Sequence, residues 1–228
     1  IKEGIRFRTN SDTEVILNSY IYWGESCIDK FNGMFAFVIY NINKNEVFIS
    51  RDRFGVKPLY YYQNSNKIIF SSEIKTILDY LPKIKLNKEA VYEYFTFQNL
   101  LNNKTFFKDI NIFPNGSFLK FRINNDLSIK IKRYWDFSFT NNNLNNFHIS
   151  KLENLFRESI KKNLVADVSL AFYLSSGIDS TLLNVMANDY CEKLNTYSCG
   201  FDIKNKKIRH FDESKDAYVT AKYLNSNH

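Results

Sequence analysis

Leu174-Ser175-Ser176-Gly177-Ile178-Asp179-Ser180 is the stretch whose residue types and spacing can do chemistry. A bound phosphate needs several backbone N–H donors converging on it, best at a helix N-terminus where the dipole adds positive potential. Small residues let the backbone approach, and serine hydroxyls add donors. Here they lie between an apolar run, Val168-Ser169-Leu170-Ala171-Phe172-Tyr173-Leu174, and a helical pattern over 180–194. No Gly-x-x-x-x-Gly-Lys-Ser/Thr run is present, so this is not a Walker-type loop. Asp179 would repel bare phosphate without a cation between them. It is therefore expected to hold Mg²⁺, which commonly combines one or two carboxylates with substrate phosphates. An ordinary Ser-rich helix cap, with Asp complementing the dipole, fits the local pattern equally well.

The elements around the loop alternate. An apolar strand over 168–174, covered on both faces as in a parallel sheet, precedes the helix. A second strand at Thr196–Phe201 and a helix at Glu213–Leu224 follow. Strand, helix, strand, helix predicts a doubly wound α/β unit. Before it, Leu152, Leu155, Phe156, Ile160 and Leu164 form one apolar helical face.

The first half reads mostly as strands. Phe31–Tyr40 and Glu46–Ser50 form a hairpin, Leu59–Tyr62 and Lys67–Phe70 a second pair, and Ser117–Arg122 and Ser128–Tyr134 close the unit. Helical spacing covers Thr13–Trp23, with Ser11 or Asp12 as N-cap, and also Glu73–Leu81 and Lys88–Phe97. Phe113-Pro114-Asn115-Gly116-Ser117 is a turn by composition. Thr140–Asn146 is a polar, low-complexity stretch. Domains are expected at 1–137 and 149–228, with 138–148 as linker.

Composition narrows the function classes. Hydrophobic residues are 44% and aromatics 17% of the 228 residues, enough for packed cores rather than disorder. The net charge of +7 comes from bases interleaved with acids. The densest basic run, Lys204–Arg209, is short and makes no stripe, so no nucleic-acid partner is expected. Three widely spaced cysteines, Cys27, Cys191 and Cys199, argue against disulfides and a zinc site. Neither a ~20-residue apolar run nor a signal-peptide pattern occurs. A cytoplasmic protein is the expectation. His210 and His228 are read as surface groups.

Longer blocks carry a resemblance. Ser175–Ser180 resembles the Ser-Gly-Gly-Leu-Asp-Ser pyrophosphate loop of ATP pyrophosphatase domains. Tyr197-Ser198-Cys199-Gly200-Phe201 looks like the second strand of such domains, and Phe211-Asp212-Glu213-Ser214 with Ala217 like the helix start that follows. The first half is similar to the glutaminase domain of the glutamine-hydrolysing asparagine synthetases. Its matching blocks are Thr9–Val15 (Thr-Asn-Ser-Asp-Thr-Glu-Val), Asn32–Phe37, Arg51–Tyr61 (Arg-Asp-Arg-Phe-Gly-Val-Lys-Pro-Leu-Tyr-Tyr), Phe70–Lys75, the turn at Phe113–Gly116 and Tyr134-Trp135-Asp136. They stand in the family's order.

The resemblance implies a partial αββα sandwich of the N-terminal-nucleophile-hydrolase type, followed by a partial doubly wound adenine-nucleotide domain. It implies glutamine hydrolysis by an N-terminal Cys, and activation of aspartate, or another carboxylate, as its acyl-AMP for attack by ammonia. ATP, glutamine, the acceptor carboxylate and Mg²⁺ are the implied partners and cofactors; a homodimer is compatible. Asp12 should hold the α-ammonium of glutamine by a charge-assisted bond; a helix N-cap is its structural alternative. Leu174 and Cys199 should line the adenine and ribose pocket. Ser175, Ser176, Gly177, Asp179 and Ser180 should take the pyrophosphate, with Asp179 on the metal. The Arg51–Tyr61 block reads as structural, with a tight turn at Gly55 and Pro58 and with Arg51 and Asp52 paired.

The pattern departs in places. Cys27 has no free α-amine, and the family's Arg-Leu-Ser and Asn-Gly-Glu blocks are missing, so an internal piece of a longer enzyme is expected. Ser176 stands where the family usually has Gly, and its Cβ would crowd a phosphate if the position needed a positive φ. A related ligase acting on another carboxylate, and a non-catalytic binding module, are the competing readings.

Overall fold

Every second residue of a strand faces the same way, and β2 (Glu46–Arg51) uses both faces. Val47 and Ile49 join one buried cluster with Leu59, Phe113 and Leu119. Phe48, pointing opposite, joins another with Cys27, Ile28 and Ile39. Fully burying a side chain of this size is worth roughly 1.5–3 kcal/mol, and the two clusters set a layered architecture. This computed structural model describes residues 4, 6–123, 129–139, 148–201 and 212–228. The chain divides into two units, Ile1–Phe139 and Thr140–His228.

In the first unit, α1 (Asp12–Trp23) and α2 (Cys27–Lys30) cover one face of a four-stranded antiparallel sheet. Its order is β1 (Ala36–Asn41), β2, β6 (Ser117–Arg122), β7 (Lys132–Arg133). Tyr20 of α1 stacks on Phe48 at 4.8 Å between ring centroids. On the opposite face lies a three-stranded sheet ordered β4 (Ile68–Ser71), β3 (Tyr60–Gln63), β5 (Ile110–Ile112), whose Tyr61 and Phe70 pack against the Val47 cluster. Beyond it, α3 (Ile74–Leu78) contacts β3 and β4 and buries Ile77 completely. The succession helix, sheet, sheet, helix is the expected αββα sandwich. The unit also holds α4 (Lys88–Phe97), capped by the Asn87 side chain.

Several boundaries differ from the sequence expectation. β1 begins at Ala36, not Phe31, because Ala36 opposite Arg51 is the last pair that β2 can supply. Phe31 and Phe35 instead pack edge to face at 5.4 Å. The helix expected over Glu73–Leu81 shortens to Ile74–Leu78, since Pro82 disfavours helical backbone just before it. Of the strand expected at Ser128–Tyr134, only Lys132–Arg133 pairs with β6; Ser128 lies outside the described residues. β5 was not expected at all.

The second unit holds α5 (Ile149–Asn163), β8 (Phe172–Tyr173), α6 (Ile178–Asn188), β9 (Thr196–Tyr197) and α7 (Ser214–Tyr223). β8 and β9 are parallel, and a further parallel bridge joins Asn195 to Asn227. The expected alternation of strands and helices is therefore present, but the apolar run is not covered on both faces. Leu174 is buried, while Tyr173, its neighbour at the end of β8, is 87% exposed. Among the described residues no element covers that face. Ile160, Met186, Ala187, Leu194 and Leu224 make the main core, and Leu174 packs on Ala217 and Ala221 of α7. Thr140–Asn146, Lys204–Arg209, His210 and Phe211 lie outside the described residues. Among those described, no helix is long and apolar enough to cross a membrane.

Candidate functional site

Each unit carries clefts, and one in the second unit lies at the loop between β8 and α6. The Ser175 backbone N–H donates to Ser180 Oγ at 3.1 Å, and the two hydroxyl oxygens are 2.7 Å apart. Gly177 N–H donates to Ser175 Oγ at 3.2 Å, and Ser180 Oγ also reaches the Ser175 and Gly177 carbonyls. These contacts close the loop on itself. Gly177 is the N-cap of α6, and no side chain caps the helix. The first-turn N–H groups, which a helix cannot satisfy internally, therefore face outward, where the macrodipole favours an anion.

The positive φ that would make a side chain at Ser176 costly does not arise. Gly177 has φ −67°, and Ser176 is not among the described non-glycine residues with positive φ. The Ser176 side chain thus imposes no backbone strain. Ser176, Gly177 and Asp179 are all exposed, and Ile178 beside them is 82% exposed.

Alongside the loop runs a cleft of about 290 Å³. It brings together Leu174, Ser175, Ser180 and Cys199 of the expected set. Leu174 is held by its N–H to Tyr197 O at 2.8 Å and by Ser198 Oγ donating to its carbonyl, so the ends of β8 and β9 form one wall. Ser176, Gly177 and Asp179 do not line this cavity; they stand on the adjacent exposed turn. Ser198, Glu213 and Ser214, which the sequence offered only as members of matching blocks and not as site residues, also line it. Hydrogen bonds from Ser214 hold the Asp212 carboxyl below the usual carboxylate range. Sequence reasoning missed Asn184, 1% exposed, whose Nδ2 donates to Ser180 O at 2.8 Å and to Tyr173 O at 3.1 Å. An amide at i+4 from the loop serine was the available signal.

No group of three or more His, Cys, Asp or Glu that could hold a metal occurs among the described residues. Asp179 is the one carboxylate on the loop, exposed at the first turn of α6. A single carboxylate completed by phosphate oxygens and water is a donor set that suits Mg²⁺.

The first unit's cleft measures about 360 Å³ and is floored by β1 and the residues leading into it. Asp12 and Thr13 of α1 lie at one side, Lys57 and Pro58 at another. Of the two N-cap candidates the structure uses Ser11, whose Oγ accepts from Thr13 N–H at 3.2 Å. Asp12 is left exposed on the first turn rather than consumed as a cap. Ser11 and Glu14 have capping-box spacing, yet Glu14 reaches further back. It accepts from Arg8 N–H at 2.9 Å and Thr9 N–H at 2.7 Å, and the Thr9 hydroxyl beside it pulls its carboxyl below the ordinary value.

Arg51 and Asp52 were expected to pair with each other; they serve the backbone instead. Arg51 donates to the carbonyls of Lys57 at 2.8 Å, Phe113 at 2.6 Å and Gly55 at 2.6 Å. Asp52 accepts N–H bonds from Phe35, Phe54, Val56 and Lys57. Adjacent residues of an extended strand point to opposite sides, so neighbours in sequence reach different partners. Gly55 does take the turn expected of it, with φ 65°. Cys27 is fully buried, and burial pushes its thiol up to about 11, which removes it as a nucleophile.

Comparison with known proteins comes from both halves. The family model described as glutamine amidotransferase domain matches residues 1–135, and that described as asparagine synthase matches residues 151–228. Asparagine synthetase [glutamine-hydrolyzing] 3 of Bacillus subtilis is 34% identical over 89% of this chain and 34% of its own length. The putative asparagine synthetase [glutamine-hydrolyzing] 2 of Methanocaldococcus jannaschii is 32% identical over 100% of this chain and 44% of its own. Amidase chyE of Penicillium rubens is 30% identical over 81% and 27% respectively. The chain thus spans less than half the length of these relatives.

Proposed function

The chain belongs to the glutamine amidotransferase family, and from that premise we propose that it is part of a glutamine-dependent asparagine synthetase. In this reading the first unit releases ammonia from glutamine, and the second activates aspartate as β-aspartyl-AMP with loss of pyrophosphate. Activation is required because a carboxylate oxygen is a poor leaving group, whereas AMP is a good one. Asp12 binds the α-ammonium of glutamine across the first cleft. Leu174 and Cys199 flank the adenosine part of ATP, and the Ser175–Ser180 turn takes its phosphates at the α6 N-terminus. When bound, Mg²⁺ neutralises phosphate charge, and Asp179 is the residue that would hold it.

One observation supports this most: an uncapped helix N-terminus follows a serine loop beside a 290 Å³ cleft, in the part of the chain matching the asparagine synthase model. The test is asparagine formation by the complete gene product from aspartate, Mg·ATP and glutamine, with pyrophosphate release measured alongside. Ammonia should replace glutamine, and aspartate should be required for ATP–pyrophosphate exchange. Absence of aspartate-dependent exchange sinks the reading. One relative carries a name other than asparagine synthetase, and a second reading has the same two steps serve another carboxylate. Exchange dependent on that other acid, and not on aspartate, distinguishes it.

A further inference from the structure

The carboxylate of Asp52 divides its work between two oxygens. Oδ1 accepts from Phe54 N–H at 3.1 Å and Val56 N–H at 3.0 Å, within its own loop. Oδ2 accepts from Phe35 N–H at 3.3 Å and Lys57 N–H at 3.1 Å. Phe35 and Lys57 come from separate segments, and both line the first unit's cleft. Each is held twice. Asp52 N–H donates to Phe35 O at 2.8 Å, and Arg51 Nε donates to Lys57 O at 2.8 Å. Asp52 is 1% exposed, so water does not compete for these bonds.

From this we infer that Asp52 is a positioning residue for the cleft: its Oδ2 ties the Phe35 and Lys57 backbones together and so sets the width available to the amino-acid substrate. The inference rests on the reading of this cleft as the glutamine site. A charged carboxylate is a stronger acceptor than a neutral oxygen, and one acceptor atom shared by two segments couples their positions. Asp52→Asn separates the two functions. Its single remaining oxygen can keep the loop bonds to Phe54 and Val56, but the amide nitrogen presents hydrogens to the Phe35 and Lys57 N–H groups. The tie between the two cleft walls is then lost, while each wall keeps its other bond and the loop keeps its acceptor.

The experiment compares glutamine-dependent and ammonia-dependent activity in the complete gene product and its Asp52→Asn variant. The expected result is a glutamine KM raised at least fivefold, with the ammonia-dependent rate within twofold of the unaltered protein. An unchanged glutamine KM overturns the inference alone, and so does a parallel fall of both activities. An unaltered protein that hydrolyses no glutamine overturns the reading of the cleft and the inference with it. Amide hydrogen exchange supplies a test that needs no variant. The Phe35 and Lys57 amides should be protected as strongly as those of β2, and exchange at the rate of an open loop overturns the inference.

Discussion

The hydroxyl oxygens of Ser175 and Ser180 lie 2.7 Å apart, across the mouth of the turn that begins α6. Ser180 is the hub of this turn, since its Oγ meets the Ser175 N–H, the Ser175 hydroxyl and two carbonyls. The turn is thus shaped by bonds within the protein. This preorganisation lowers the ordering cost of binding an anion there.

Ser180→Ala removes the hub. At about 1 kcal/mol for each lost net hydrogen bond, the second unit should lose roughly 1–2 kcal/mol in urea denaturation. Mg·ATP binding by isothermal titration should weaken by about tenfold, a loss of ~1.4 kcal/mol. Unaltered ATP affinity counts against the turn as the phosphate site.

Asp12→Asn should raise the KM for glutamine by about tenfold or more, the usual order for losing a charge-assisted bond. Ammonia-dependent synthesis should be unchanged, because Asp12 is not needed as a cap: Ser11 already fills that position. Helix content by circular dichroism should also hold. A loss of helix instead points to a purely structural Asp12.

Gly116 has φ 56°, and a Cβ there would lie 2.6 Å from the Trp135 carbonyl oxygen. Gly116→Ala should therefore destabilise the first unit by roughly 2–4 kcal/mol, combining left-handed backbone with overpacking. The Gly116 carbonyl accepts from the Tyr134 and Trp135 N–H groups at 2.8 and 3.1 Å, so the segment leading out of β7 should loosen too. Thermal unfolding and proteolysis near residue 135 provide the readout.

Cys27 and Cys199 should react very differently with iodoacetamide. Cys27 is buried with its thiol raised from 9.0 to about 11; Cys199 is exposed and lines the second cleft. At neutral pH Cys199 should be alkylated first, and Mg·ATP should slow it. For Cys27 the sign of the pH effect follows from linkage. Between pH 9 and 11 the unfolded thiol loses its proton while the folded one keeps it, so stability should fall as pH rises through that window. Cys27→Ser should flatten that part of the profile.

Much of the architecture was legible because it rests on local rules. Ser11, one of two cap candidates, caps α1, Gly55 and Gly116 take positive φ in the turns expected of them, and β1 and β2 form the expected hairpin. Backbone conformation and side-chain period are properties of a short stretch, and the residues there state them. The serine turn before α6 was legible for the same reason.

What the stretch itself could not state was which partner each group would find. Arg51 and Asp52 stand side by side in sequence, yet one holds carbonyls as far away as Phe113 and the other the N–H of Phe35. The same limit hid β5, whose Ile110–Ile112 becomes a strand only because β3 offers an edge. The sequence by itself determined the turns, caps and periodicities, because their energies are local. Short-range preferences did not bring Leu174 and Cys199 into one cleft with Ser180, which the family resemblance implied and the tertiary structure shows. Tertiary structure alone decided that one buried carboxylate fastens two walls of the other cleft. Those distances depend on chain closure between segments tens of residues apart, which no short-range preference encodes.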